Sequence, residues 1–176
     1  MNRFVKIIRL SEFRFKRVKY YSVSINSNLE RDCEFYRFLE RTESDESVSE
    51  DLNILFEWIE QIGHSYGAKS KFFRNEALIS DTSALPPPRA VMRASNSVVK
   101  GRLRLYCFRL NESVVILYNG GIKTTKLAQD CPNVMEHFKL ANLLTSRIQR
   151  ALVEKRIIWN KNYSDINYSS DFQIEL

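Results

Sequence analysis

The sequence predicts an α+β domain in which a helical hairpin and a C-terminal helix pack on an antiparallel sheet. Three observations lead there. Residues 102–119 alternate as two strands about a short turn at Asn111-Glu112. Two acidic, amphipathic helical patterns follow one another between residues 29 and 62. A long helical stripe then runs over residues 134–152.

Taken in order, residues 4–10 and 13–25 read as strands, the second rich in Val, Tyr and Phe, with Ser11-Glu12 as a turn between them. Asn26-Ser27-Asn28 breaks the strand and supplies an N-cap. A helix over 29–40 follows, with Cys33, Tyr36 and Leu39 at helical spacing. Ser47 to Ser49 caps a second helix, 50–62, whose stripe is Leu52, Leu55, Phe56, Ile59 and Ile62 and whose stop is Gly63.

Residues 63–88 are irregular, with Lys71-Phe72-Phe73-Arg74 as a short strand or turn. Leu85-Pro86-Pro87-Pro88 excludes a central strand or a helix interior and reads as an extended connection into the sheet. A Pro-rich ligand for an aromatic groove is the alternative reading. Residues 89–96 read as a strand.

In 102–110, Leu103, Leu105 and Cys107 share one face, and Arg102, Arg104, Tyr106 and Phe108 the other. The return strand is 113–119. A two-residue loop sets Arg104 opposite Asn119, Tyr106 opposite Leu117 and Arg102 opposite Gly121, with Tyr118 on the Leu105 side. One face is then polar and cationic away from the turn. Gly120-Gly121 lets the backbone bend or approach a ligand closely. Cys131-Pro132-Asn133 opens the last helix, with Val134, Phe138, Ala141, Leu144, Ile148 and Leu152 as its buried stripe. Arg147, Arg150, Lys155 and Arg156 suit its C-terminus. Residues 157–159 read as a further strand, and the tail has no clear period. The chain thus divides into a basic N-terminal extension, 1–18, read as a strand, a domain over 19–152, and a C-terminal extension, 153–176.

The length of 176 residues suits one domain with such appendages. A hydrophobic fraction of 44% with 12% aromatics excludes a disordered chain. No apolar run approaches the roughly 20 residues of a membrane helix, so no membrane partner is expected. The first ten residues carry a charge every third position and no secretory apolar core. Cys33, Cys107 and Cys131 are odd in number and far apart, which argues against a disulfide framework and for a reducing cytoplasm. With His64 and His137 as the only histidines and no CxxC or HExxH, neither a metal site nor a cofactor is expected.

Net charge is +6, but its distribution is uneven. Residues 1–20 hold seven basic side chains against one acid, residues 30–60 three against eleven, and residues 69–126 eleven against three. A folded domain with one acidic and one basic wall follows, and a basic wall attracts nucleic acid through counterion release. The acidic run 40–51 reads as a solvated loop; the alternative reading is that it discourages nonspecific RNA binding on its side.

The segment 104–125 reads Arg-Leu-Tyr-Cys-Phe-Arg-Leu, Asn-Glu, Ser-Val-Val-Ile-Leu-Tyr-Asn-Gly-Gly-Ile-Lys-Thr-Thr. An Arg-led strand, a short turn, a Val/Leu-rich strand, then Gly, a hydrophobe and Lys with Thr resembles the RelE/ParE toxin superfamily, in its HigB-like, phage-derived branch. Phe138-Lys139-Leu140-Ala141 on the following helix completes the pattern. The resemblance covers residues 19–152 by element order and 102–141 by motif. It implies a small twisted antiparallel sheet, a bacterial type II toxin–antitoxin system, and a cytoplasmic, metal-free endoribonuclease that cleaves mRNA on the translating ribosome. It also implies an antitoxin partner, typically a helix-turn-helix protein. Two other readings stand beside it: a noncatalytic ParE-like gyrase inhibitor acting through its helical hairpin, and a nucleic-acid-binding accessory module.

Metal-free RNA cleavage uses the ribose 2′-OH as nucleophile and needs a base, an acid and cations for the phosphorane. By position, the resemblance assigns catalysis to Arg104, Lys123 and Arg93. It assigns phosphate or RNA contact to Arg89, Arg102, Lys126 and Tyr106, with Tyr118 or Tyr106 stacking on a base. The plainer readings are an outer-face arginine at 104, a commonplace loop lysine at 123, a core Tyr118 and Cys107, and a packed His137. The two terminal extensions and the want of an obvious general base depart from the family pattern.

Overall fold

The central hairpin follows from alternation, and both of its faces are buried. In the computed structural model, which describes residues 3–77, 80–95 and 101–176, β5 (Leu103–Arg109) pairs antiparallel with β6 (Val114–Ile122). Leu103, Leu105 and Cys107 join Val115 and Leu117 in one apolar cluster, while Tyr106 and Phe108 join Val114, Ile116 and Tyr118 in the other. The division of β5 between faces is the expected one, but the register is not. Arg104 faces Gly121, Leu105 faces Gly120 and Cys107 faces Leu117.

Two local features correct the register. Asn111 Oδ1 accepts from the backbone N–H of Ser113 and Val114 at 2.8 and 2.9 Å, which adds a residue to the loop. A bulge then sets Tyr118 and Asn119 against Tyr106 alone. Tyr118 therefore sits on the Tyr106 side, not the Leu105 side.

Among the described residues the sheet has seven strands in the order β3-β4-β5-β6-β2-β1-β9, larger than the small sheet expected. β1 is Phe4–Arg9, β2 Lys19–Ile25, β3 Arg74–Asn75, β4 Thr82–Leu85 and β9 Ile174–Glu175. All neighbours are antiparallel except β2 and β6, which run parallel through Lys19↔Val114, Tyr20↔Val115 and Tyr21↔Ile116. Both terminal segments thus add a strand to this sheet. Residues 13–18, read as strand, are a loop whose Phe13 and Phe15 meet Tyr20 edge-on. A separate hairpin, β7 (Ile157–Trp159) with β8 (Ile166–Tyr168), is fastened by Asp165, which accepts from Tyr21 and pairs with Arg9 at 2.9 Å.

Among the described residues, four α-helices flank the sheet. On one face lie α1 (Glu34–Glu43), α2 (Ser49–Gln61) and α3 (Arg89–Ala94), contributing Phe35, Phe38, Leu55, Trp58, Ile59 and Met92. On the other lies α4 (Met135–Val153), contributing Phe138, Ala141, Leu144 and Ile148. Full burial of a Leu, Ile or Phe stabilises by about 1.5–3 kcal/mol, so this stripe is the main bond between α4 and the sheet.

Three expectations for the helical regions are corrected. The first helix begins at Glu34, after a 3-10 turn over Glu30–Asp32. The second passes Gly63 and continues as a π turn to Tyr66, ending where Gly67 takes φ +72°. Gly63 instead accommodates Phe15: a Cβ there would fall 2.4 Å from the ring. The strand read over 89–96 is a helix as far as Ala94, and Asn96 lies outside the described residues. Pro88, at its N-cap, has φ preset for entry to a first turn, so the proline run leads out of β4 into a helix rather than into the sheet. Among the described residues no helix is long and apolar enough to cross a membrane.

Candidate nucleic-acid interface

The end of the hairpin remote from its turn gathers the basic residues. β5 starts beside the end of β6, and α3 begins after the proline corner. A pocket of about 390 Å³ opens among them, lined by Arg89, Arg102, Arg104, Lys123 and Lys126 with Gly101, Thr124 and Thr125. Arg89, Arg102 and Lys126 are exposed at its rim. Arg104 and Lys123 lie deeper, with side chains 11% exposed.

A carboxylate that sequence reasoning did not select lies against the deep pair. Glu76, just past β3 and 10% exposed, holds Lys123 Nζ at 3.0 Å and Arg104 Nε at 3.5 Å. Arg104 Nη1 donates to the carbonyls of Gly101 at 2.6 Å and Leu103 at 2.9 Å. Its Nε makes no hydrogen bond among the described residues, the Glu76 contact being an ion pair only. Burial lowers the Arg104 pKa, and Glu76 opposes that shift. Arg74 stands nearby, donating to the carbonyls of Pro86 and Pro87 at 2.8 Å each. Burial, then the charge of Arg104, pulls Arg74 down to about 10.

The backbone beneath is fixed from two sides. Asp51 of α2, itself buried, accepts from the N–H groups of Gly101 and Arg102 at 3.4 and 3.3 Å. Gly120 presses on β5 so closely that a Cβ would lie 1.8 Å from the Arg104 carbonyl oxygen. The close approach expected of this glycine is thus to its own sheet. Arg41 of α1 donates to Asn119 Oδ1 at 2.8 Å and to the Gly120 carbonyl at 2.7 Å, and Asn119 donates to Glu34 at 2.8 Å. This network secures the bulge.

The loop from β6 to α4 is held by a thiol. Cys131 Sγ accepts from Thr124 N at 3.3 Å and lies 3.5 Å from Thr124 Oγ1. Burial pushes this thiol up, but hydrogen bonds from Thr124, Asn133 and Thr125 outweigh it and leave the group lowered to about 7. His137, half-buried on α4, is lowered first by burial and then by the charge of Arg41.

Arg89, Arg102, Arg104, Lys123 and Lys126 are therefore brought to one pocket. Two residues are not. Arg93 is exposed on α3 and does not line the pocket. Tyr106 is wholly buried, 5.5 Å from Phe138, so its ring is not free to stack on a base. Its hydroxyl has no hydrogen-bond partner among the described residues, and burial raises its pKa. One signal for Glu76 was present: it is one of only three acids among eleven basic residues in 69–126. Among the described residues no three His, Cys, Asp or Glu side chains group as a metal site.

Comparison of the chain with protein-family models, curated proteins and solved structures finds no match in any of them.

Proposed function

We propose that this chain is the toxin of a bacterial type II toxin–antitoxin system, of RelE/ParE type and resembling the HigB-like branch, and that it cleaves mRNA on the translating ribosome without a metal. The observation that carries the reading is the deep pair Arg104 and Lys123, each ion-paired with Glu76 behind them, in a pocket that Arg89, Arg102 and Lys126 also line. The order β2, α1, α2, β3, β4, α3, β5, β6, α4 supports it in outline, being strand, two helices, antiparallel strands and a helix, with α3 set between β4 and β5.

The chemistry follows from the trio. Glu76 accepts the proton of the ribose 2′-OH as that oxygen bonds to phosphorus. Arg104 and Lys123 stabilise the charge gathering on the phosphorane oxygens, where low exposure strengthens their effect. As the P–O5′ bond breaks, Lys123 returns a proton to the leaving oxygen. The products are a 2′,3′-cyclic phosphate and a 5′-hydroxyl. An antitoxin, of helix-turn-helix type by the family resemblance, neutralises the activity by covering the pocket.

The test is expression in a bacterial host and incubation in a translating extract. Wild-type protein halts growth and cuts mRNA, and Arg104→Ala and Lys123→Ala lose both effects. Intact mRNA with wild-type protein, or undiminished toxicity of Arg104→Ala, overturns the reading. A second reading, a noncatalytic nucleic-acid-binding module, draws on one observation: Arg104 and Lys123 are already paired with Glu76. It expects salt-sensitive RNA binding with neither cleavage nor toxicity.

A further inference from the structure

The tip of the β5–β6 hairpin, at the end opposite the cationic pocket, gathers cations that the fold leaves unpaired. Lys19 donates its backbone N–H to the Ser113 carbonyl at 2.7 Å, and Ala68, next to Lys69, donates to that of Glu112 at 2.8 Å. Arg109 Nε donates to the Ala68 carbonyl, and Arg17 reaches Gly67, where a Cβ would lie 3.9 Å from its Nη1. Asn111 Nδ2 donates to the Tyr163 carbonyl at 2.7 Å, which brings the β7–β8 loop and its Lys161 alongside. Among the described residues none of Arg17, Lys19, Lys69, Arg109 and Lys161 makes an ion pair. The acids about this tip are Glu112 in the turn, Asp81 beside Arg109, and Asp165, which Arg9 already matches. Five unpaired cations thus stand against two unmatched acids.

Tyr163 occupies the same tip in an unusual way. Its φ is +57°, a left-handed conformation that a side chain disfavours and that Gly or Asn ordinarily supplies. Its ring is 63% exposed, so burial does not account for an aromatic residue there. The ring leans on Trp159, with centroids 6.1 Å apart, and Trp159 lines a cleft of about 650 Å³ together with Phe108, Arg109 and Leu110. Neither the backbone nor the packing calls for a tyrosine at 163. A ring offered to solvent, backed by a second ring and edged by unpaired cations, has the composition of a stacking platform.

We propose that Tyr163 and Trp159, with Arg17, Lys69 and Lys161, form a second nucleic-acid site that binds single strands. A base stacks on the open face of Tyr163, and the phosphates on either side of it lie along the cations. A duplex is excluded because each of its bases is already stacked on both faces. The site shares no residue with the cationic pocket, and Arg104 and Arg109 mark the two ends of β5, about 17 Å of strand apart. It gives a role to the C-terminal extension, and it holds whether or not the pocket cleaves RNA.

The experiment uses the full chain carrying Trp58→Phe, which leaves Trp159 as the only tryptophan. An unstructured 2′-O-methyl dodecanucleotide, which lacks the 2′-hydroxyl needed for cleavage, is titrated against Trp159 fluorescence. The single strand quenches Trp159, and the same sequence as a duplex does not. Tyr163→Gly, which relieves the left-handed backbone and melts no lower than its parent, weakens the single strand by about fivefold or more, whereas Tyr163→Phe keeps its affinity. Lys161→Ala reduces the slope of log affinity against log salt by about 0.7, and Tyr163→Gly leaves that slope unchanged. Trp159 fluorescence that the single strand leaves unaltered, an equal response to the duplex, or undiminished affinity in Tyr163→Gly overturns the proposal. Should Trp58→Phe not fold, the wild-type chain gives the same titration over the constant background of the buried Trp58. None of these outcomes bears on the toxin reading, which stands or falls with growth arrest and mRNA cleavage in Arg104→Ala and Lys123→Ala.

Discussion

Lys123 Nζ stands 3.0 Å from Glu76 Oε2, joining the end of β6 to a carboxylate 47 positions earlier in the chain. Because Arg104 shares that carboxylate, its loss strands two cations at once. Removing one partner of a buried ion pair destabilises by about 3–5 kcal/mol, and these groups, slightly open to solvent, fall near the lower figure. Glu76→Ala is expected to lower the urea midpoint accordingly, whereas Glu76→Gln, which still accepts a hydrogen bond from Lys123, lowers it less.

Gly120 admits no side chain. An added Cβ meets the Arg104 carbonyl oxygen at 1.8 Å and its carbon at 2.8 Å, both backbone atoms held in the ladder. Overpacking of this kind costs about 1–3 kcal/mol. Gly120→Ala should therefore melt at least several degrees lower and lose oligonucleotide binding in the cationic pocket, since β5 must move and Arg104 moves with it. Gly121→Ala, whose Cβ would meet its nearest atom at 3.1 Å, is expected to be milder.

Asn119 is satisfied on both sides, accepting from Arg41 and donating to Glu34. Asn119→Ala leaves two charged groups short of a partner in a site only 4% exposed, at a cost of about 1–3 kcal/mol. Asn119→Asp should be worse, because it sets a second carboxylate against Glu34. Chemical denaturation of the three proteins at neutral pH ranks them.

The Cys131 thiol links stability to pH. Its folded pKa lies near 7 against an ordinary value near 9, so between these limits the unfolded chain holds more proton than the folded one. Stability then rises with pH across that window, and the gain is lost as pH falls through about 7. The difference in urea midpoint between wild type and Cys131→Ser should widen from pH 6.5 to pH 9. A constant difference would place the thiol at its ordinary value.

What the sequence showed plainly was local. Alternation divided β5 correctly, Leu105 to one face and Tyr106 to the other, because a period of two needs no partner to be visible. The stripe from Phe138 to Ile148 was legible for the same reason. Register was not, because it depended on the Asn111 turn and on a bulge at Tyr118-Asn119 that alternation does not encode. Residues 89–94 were misread because a six-residue helix is too short to display its period. The basic residues of the pocket lie mostly along one hairpin and were found together. Glu76 reaches them only through the β3–β4–β5 ladder, a relation that becomes visible only with the pairing.

The parallel pairing of β2 with β6 has a consequence for the order in which the chain can fold. β2 lies between β1 and β6, and Lys19 meets a partner, Val114, made much later in synthesis. At about 5–20 residues per second, roughly 5–20 s pass between the emergence of one strand and the other. During that interval the β1–β2 hairpin presents an open edge bearing Tyr20, Tyr21 and Val23, the kind of edge that pairs with a wrong strand. The nascent chain is thus most prone to aggregation before β6 leaves the ribosome, and slower synthesis of residues 26–113 should lower its soluble yield.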